Sequence, residues 1–517
     1  MEAGRSLDAS GMPEGTHYAI TTGLATDFKG LTTAMLNRSR AFVQVTGTPV
    51  TILTHAPFDY DEIRDTLRER GFLGEGMALL NKYEDIGTWD DDRIHQLNLE
   101  AVGPADSVPQ LLELGDPGVS EDRYRRTATV EGEVTQIDHR RANGEVFLTE
   151  RRGGHDPAIV LRGSGGKVLG TLASARQLLY RWLDTLPRDP RAWIIADSRV
   201  SARLLLDYRR PDVSVMHVLH YSHLDGRNAD STTAVKKSSA EVLDRMDELD
   251  AMVFLTESQR RDVVDAYGIG SDNRYSVPNV CNVPARVDPS TLSRRRDRRR
   301  GVMLARFDRG KQVDIAIRAV AVAADTLDPR RRPRLDVYGG GSRRDLLEDE
   351  VALMAKRHPA PLERLLGRAL GKPGRSLARL VQPRSSSVRT RLHGHVAAAR
   401  EEFWRASYSL LTSRAEGSPL VLVEAMGRGA IPISFDIKYG PSDIITHGVD
   451  GFLVPFAGDR RRARNAMAAA IQQVVTMSHD ELTVMRAAAH RRAQDFSPTS
   501  VTRRWIEVMR AIEARKV

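Results

Sequence analysis

The sequence predicts an α/β chain of two doubly wound, Rossmann-like domains facing a cleft, with a β-rich insertion in the first. Three observations predict it. Short apolar β runs alternate with amphipathic helical segments along both halves of the 517 residues. A stretch rich in Pro and Arg, from Pro284 to Arg300, divides the halves as an interdomain hinge would. Residues 122–150 break the rhythm with period-2 runs and the turn signal Asn143-Gly144, which reads as an antiparallel meander inserted over about 105–165.

Taken in order, HYAITTGLATDFKGLTTAMLNRSRAF reads as strand, glycine loop and helix, and VQVTGTPVTILTHA as the next strand. After the insertion, RAWIIADS, VSVMHVLHYSHL, DAMVFLTESQRRDVVDAYG and YSVPNV restore the α/β alternation and complete a first domain over 1–290. A second domain over 298–495 opens with GVMLARF as a strand, a loop holding Gly310 and the helix VDIAIRAVAVAA. RLDVYGGGS, VRTRLHGHV and SYSLLTS supply further strands. Residues 358–387 read as a basic surface insertion, and SVTRRWIEVMRAIEARK as an amphipathic closing helix within 496–517. Two such domains place a ligand cleft at the carboxyl ends of their sheets.

Composition narrows the classes. Hydrophobic residues make up 41% and charged residues 28%, ordinary for a globular protein. The single cysteine, Cys281, excludes an internal disulfide framework and reads as a structural thiol beside the hinge. MEAGRSLDASGMPEG has no basic region followed by an apolar one, and no apolar run reaches membrane-spanning length, so a cytoplasmic protein is expected. The formal charge of +9 gathers in RRRDRRR (294–300), RRRPR (330–334) and RRRAR (460–464). These read as solvated faces and linkers, or as attraction to a polyanion or a membrane's inner face. Aromatics at 6% leave few stacking platforms, and no nucleic-acid motif is present, so nucleic acid is not the expected partner.

The chemistry concentrates in RAEGSPLVLVEAMGRGAIPISF, residues 414–435. Ser418 reads as the N-cap and Pro419 as the first residue of a helix ending at Gly429. Glu416 precedes that helix and Glu424 lies on it, in otherwise apolar surroundings. Two readings stand for Glu424: it accepts hydroxyls of a ligand diol, or it pairs with a core arginine. In LARFDRGKQVD, Arg306 and Lys311 flank a glycine loop, a cation pair suited to a diphosphate or an ordinary basic loop. His217, His220 and His223 have no carboxylate at ligand spacing, and no metal is expected. Gly339, Gly340 and Gly341 read as a tight turn, since they lack the P-loop lysine.

Together, VMLARFDRGKQVDIAIRAV and AEGSPLVLVEAMGRGAIPISFD resemble the donor domain of glycosyltransferase family 4, retaining enzymes of the GT-B fold, with Glu416 and Glu424 matching the E-x7-E motif. KYGPSDIITHGVDGFLV narrows the resemblance to poly(glycerol-phosphate) and poly(ribitol-phosphate) sugar transferases and to relatives that glycosylate serine-rich surface proteins. That resemblance implies a UDP-sugar donor, no cofactor, and a hexose, glucose or N-acetylglucosamine, moved to a teichoic-acid-like polyol-phosphate polymer. A serine-rich protein acceptor or an inactive partner subunit are its alternatives. It implies that Arg306 and Lys311 meet the diphosphate, Glu424 the ribose and Glu416 the donor sugar. Gly417, Ser418, Pro419 and Leu420 would line the donor, with Leu392, His393 and Gly394 near the base. Gly30 would approach the diphosphate and His220 would stand beside the sugar, with His223 as second choice. It further implies that the closing helix crosses back to the first domain and that the insertion holds the acceptor or builds a homo-oligomer.

Overall fold

The computed structural model describes residues 11–516 apart from 27–29, 58, 102–107, 154–157, 225–234, 268–271, 286, 289–290, 293–295, 358–389 and 457. The basic segment 358–387 therefore lies outside the described residues. Contacts divide the chain into two compact units: unit 1 holds 1–218, 237–253 and 506–517, and unit 2 holds 219–236 and 254–505.

In unit 1 the strands Ala251–Phe254, Val213–Leu219, Ala192–Ala196, Thr16–Thr21, Val50–Thr54 and Met77–Asn81 lie side by side in that order. The pairings of Thr16–Thr21 with its two neighbours are parallel. Strands Ala192–Ala196 and Val213–Leu219 are buried along their whole length, which is why they read as continuous apolar runs rather than alternating ones. Chain order reverses between Thr16–Thr21 and Ala192–Ala196, and the helix Gly30–Thr46 follows the first of these. Arg38 on that helix is locked to Asp197, just past the second strand, by two hydrogen bonds of 2.8 and 2.7 Å.

The insertion is a six-stranded antiparallel sheet whose neighbours follow chain order, from Val119–Asp122 to Val168–Leu172. Gly144 makes the expected turn with φ of +89°, its amide donating to the Arg141 carbonyl over 2.9 Å. The sheet runs past the expected end at about 165. Its last strand, Val168–Leu172, lies beyond that point, and its sequence VLGTL shows no clear apolar–polar alternation.

Unit 2 holds six parallel strands: Asp297–Leu304, Arg334–Tyr338, Thr390–Gly394, Ala406–Leu411, Ile431–Asp436 and Phe452–Pro455. Numbered along the chain they run 3-2-1-4-5-6 across the sheet, the order of a dinucleotide-binding domain. Helices Val313–Asp325 and Arg460–Thr476 cover one face around Phe307, Ile317, Ile433 and Ile471. The described part of the RRRDRRR segment, Arg296 to Arg300, read above as a hinge, is instead part of this domain. Its residues from Asp297 onward form the first strand. Arg296 donates to the carbonyls of Phe403 (2.7 Å) and Ala406 (2.6 Å), and Arg300 binds Asp336 (2.6 Å) and Glu402 (2.7 Å). A charged run folds inward here because carbonyls and carboxylates wait for it.

Candidate active site

The first and fourth strands of unit 2 are neighbours, and chain order reverses between them, which is where such sheets bind ligands. Both cationic and acidic candidates follow those two strands. The loop after Asp297–Leu304 carries Arg306 and Lys311, and the loop after Ala406–Leu411 carries Glu416. The loops are stitched together: Thr412 Oγ1 donates to the Lys311 carbonyl over 2.9 Å, and the Arg414 amide donates to the Gly310 carbonyl over 2.8 Å. Asp308 Oδ1 accepts from the Lys311 amide at 3.0 Å and shapes the turn. The result places Lys311 Nζ 2.5 Å from Glu416 Oε1, with the side chains 25% and 13% exposed. Arg306 is not drawn into this pair. Its guanidinium is 70% exposed and lies 3.1 Å from Asp308 Oδ2.

Gly417 shows why this position takes no side chain. A Cβ there would stand 2.5 Å from the carbonyl oxygen of His220. His220 itself is buried, just beyond the strand that ends at Leu219 rather than on it. The helix after Gly417 starts one residue later than the sequence suggests. It spans Leu420–Gly427, with Pro419 at the N-cap and its carbonyl accepting from the Leu422 amide at 3.0 Å. Ser418 is therefore not the cap. Pro419 has ψ of 85°, outside the helical range, so it cannot serve as the first helical residue.

Glu424 projects from this helix. Burial pushes its carboxyl above the usual range, and the charges of Arg400 and Arg428 pull the other way. Arg428 does not pair with it: that guanidinium goes to Glu401 Oε1 at 2.8 Å and to the Glu424 main-chain oxygen at 3.3 Å. Among the described residues no ion pair or hydrogen bond holds the Glu424 carboxylate, so no described arginine pairs with it. Burial also pushes the Cys281 thiol up, with the Glu424 charge adding to the effect, so this cysteine is an inert packed group.

The third strand contributes His393 and Gly394. His393 stacks on Tyr338 with ring centroids 4.5 Å apart, and its Nε2 lies 2.8 Å from Asp336 Oδ1. Gly394 accepts from the Gly339 amide over 2.7 Å, and the glycine turn in turn packs on the backbone of Ala305 and Phe307. The three strand ends are thus tied in one row. Gly30 belongs to unit 1, opens the helix Gly30–Thr46 and is exposed, with nothing within 4 Å of a Cβ built on it.

Sequence reasoning used KYGPSDIITHGVDGFLV for the resemblance alone and did not place it beside the Glu416–Glu424 segment. The loop through Lys438, Tyr439 and Gly440 packs against the Gly417–Pro419 segment, with Gly440 apposed to Pro419. Tyr439 stacks on His223 at 5.7 Å and donates to Asp262 Oδ2 at 2.8 Å. The adjacent Gly440-Pro441 pair was the signal, a turn fixed beside the motif. His217 is a core residue of unit 1, hydrogen bonded through Nδ1 to the Ala196 carbonyl at 2.7 Å. No group of three or more His, Cys, Asp or Glu among the described residues is placed to hold a metal ion.

Burial holds His17, His55 and His223 near pKa 4, below the ordinary 6.5. The folded state therefore refuses protons that the unfolded chain accepts. Stability from these groups is complete above about pH 6.5 and is lost as the pH falls toward 4. Urea unfolding midpoints are expected to fall across that window, on the order of a few kcal/mol in all.

The fold is that of the GT-B glycosyltransferases, and residues 349–477 match the family model described as glycosyl transferases group 1. The chain is 22% identical over 337 residues to poly(ribitol-phosphate) alpha-N-acetylglucosaminyltransferase of Staphylococcus aureus, covering 64% of this chain and 58% of that protein. It is 20% identical over 337 residues to poly(glycerol-phosphate) alpha-glucosyltransferase of Bacillus subtilis, covering 64% of this chain and 42% of that one. The chain spans about half the length of these curated relatives. Among solved structures, S. aureus TarM in complex with fondaparinux, alpha-GlcNAc-glycerol and UDP superposes with a TM-score of 0.62 at 18% identity, over 96% of this chain and 99% of that one. The pneumococcal O-GlcNAc transferase GtfA in complex with UDP and GlcNAc gives 0.61 at 16% identity, over 96% and 99%. The resemblance expected from the E-x7-E and KYGPSDI segments is borne out. No helix among the described residues is long and apolar enough to cross a membrane.

Proposed function

We propose that the protein is a retaining hexosyltransferase that moves glucose or N-acetylglucosamine from a UDP-sugar to a hydroxyl of an anionic polyol-phosphate polymer. The observation that carries this is the Lys311–Glu416 pair, a cation and a carboxylate delivered from two neighbouring strand ends onto the ligand-binding edge of the sheet. Lys311 and the exposed Arg306 would neutralise the diphosphate and the charge that grows on it as the anomeric carbon–oxygen bond breaks. Glu416 would hold hydroxyls of the transferred sugar and Glu424 those of the ribose. Gly417 through Leu420 would lie along the donor, His220 beside the sugar, and His393 and Gly394 near the base. The acceptor oxygen bonds the anomeric carbon on the face that UDP leaves, and its proton passes to the departing phosphate oxygen. UDP-sugars are cytoplasmic metabolites, so this reading implies a cytoplasmic enzyme.

A second acceptor is favoured by one set of relatives. The GtfA subunit of Streptococcus pneumoniae, a peptide N-acetylglucosaminyltransferase, is 26% identical over 208 residues, and its fold superposes too. A serine-rich protein would then replace the polymer at the same donor site.

The test is UDP release from a panel of UDP-sugars, with and without poly(glycerol phosphate) or poly(ribitol phosphate), on wild type and Glu416→Ala. Polymer-dependent release from one donor, lost in the variant, is expected. Release that needs a serine-rich peptide instead selects the second acceptor. Absence of UDP binding would remove the donor site altogether.

A further inference from the structure

Two of the basic runs remain unused by the donor site, and the fold brings them together. Arg298 and Arg299 stand at the amino end of the first strand of unit 2. Arg330 and Arg331 lie on the short turn Pro329–Arg331 that leads into the neighbouring strand Arg334–Tyr338. All four line one cavity of about 580 Å³, closed by the junction between helices Arg460–Thr476 and His479–Ala493.

Four guanidinium groups meet a single carboxylate in that lining, Glu481, and one of its oxygens is already taken by the Ser478 amide at 2.7 Å. Arg298 donates to the Met477 carbonyl at 2.6 Å, and Arg299 lies 3.3 Å from Asp297 Oδ1. Arg330 and Arg331 are exposed, and among the described residues neither guanidinium has a partner. Like charges gathered in one concave site repel one another unless an anion joins them. Guanidinium forks match phosphate oxygens two at a time, and the volume exceeds what one phosphate fills.

We propose that this cavity binds a multiply charged phosphate anion, with two or more phosphate groups carried on a small polyol frame or chain. It is separate from the donor site. Arg306 and Lys311 follow the carboxyl end of strand Asp297–Leu304, whereas these arginines stand at its other end, on the order of 25 Å away along the strand. None of the four residues serves the donor, so the assignment stands or falls independently of the transferase reading.

Calorimetric binding tests it with three ligands: inorganic pyrophosphate, a soluble glycerol-phosphate oligomer, and cardiolipin vesicles against phosphatidylcholine controls. Each is titrated with saturating UDP present, on wild type and on Arg330→Ala/Arg331→Ala. At least ten-fold weaker binding in the double variant is expected, with UDP affinity unchanged. Tighter binding of the oligomer than of vesicles identifies a soluble chain as the source, and the reverse identifies a lipid headgroup. Equal affinity in wild type and variant, or no binding of any of the three by wild type, overturns the proposal. Both arginines are exposed, so the melting temperature should not move; if it does, Arg331→Gln alone carries the comparison.

Discussion

Replacing Lys311 by alanine is expected to lower kcat/KM for the UDP-sugar by about 100- to 1,000-fold. Without donor, Lys311 and Glu416 satisfy one another across 2.5 Å. On the proposed reading each would gain a further partner with donor bound: the diphosphate for the ammonium and the sugar hydroxyls for the carboxylate. The pair holds the two side chains facing one another at the ends of neighbouring strands. Loss of the ammonium leaves Glu416 without its resting partner and, on the proposed reading, would remove the charge that meets the leaving UDP. The pair is partly exposed, so its contribution to stability is about 1 kcal/mol or less, and melting should hardly change. Lys311→Ala, Glu416→Ala and the double variant form a cycle whose strong non-additivity would report the shared task. Activity within three-fold of wild type for Lys311→Ala would refute the role.

The largest stability effect is expected at Gly339. Its φ is +148°, a conformation that residues with a Cβ rarely adopt, and a Cβ there would stand 1.9 Å from the Ala305 carbonyl oxygen. That carbonyl belongs to the backbone the turn must follow: the Ala305 amide donates to the Tyr338 carbonyl at 3.0 Å and the Phe307 amide to Gly340 at 2.8 Å. Neither side can yield without losing these bonds. Gly339→Ala should cost roughly 3–5 kcal/mol from strain and overlap together. Gly340 provides the control, since a Cβ there meets nothing within 4 Å and its φ is not positive. Gly340→Ala should shift the urea midpoint by no more than about 0.5 kcal/mol. Equal effects at the two neighbours would contradict this account of the turn.

What could be read in the sequence was local. Strand–loop–helix corners announce themselves through periodicity and glycine, so the Arg306–Lys311 loop and the Glu416–Glu424 segment were found before any coordinates. The pairing of Lys311 with Glu416 was not visible, because the residues are 105 positions apart and meet only when the first and fourth strands become neighbours. The same holds for Gly417, whose need for a bare α-carbon comes from the distant His220 carbonyl. Composition misled at RRRDRRR. Charge density suggests a solvated linker, yet Arg296 and Arg300 fold inward onto carbonyls and carboxylates supplied by segments far along the chain. For Glu424 the pattern left two readings open, and the direction of the Arg428 guanidinium, toward Glu401, counts against pairing with that arginine.

Unit 1 gathers residues up to 218, then 237–253, then 506–517. Its last piece is not ornamental: Lys516 Nζ lies 2.8 Å from Asp250 Oδ1, and Arg510 donates to the Gly11 carbonyl at 3.1 Å. On the ribosome, then, the unit begun first is finished only after every residue of unit 2 has been synthesised. Until that strap emerges, Asp250 and the Gly11 carbonyl lack these partners in the nascent chain.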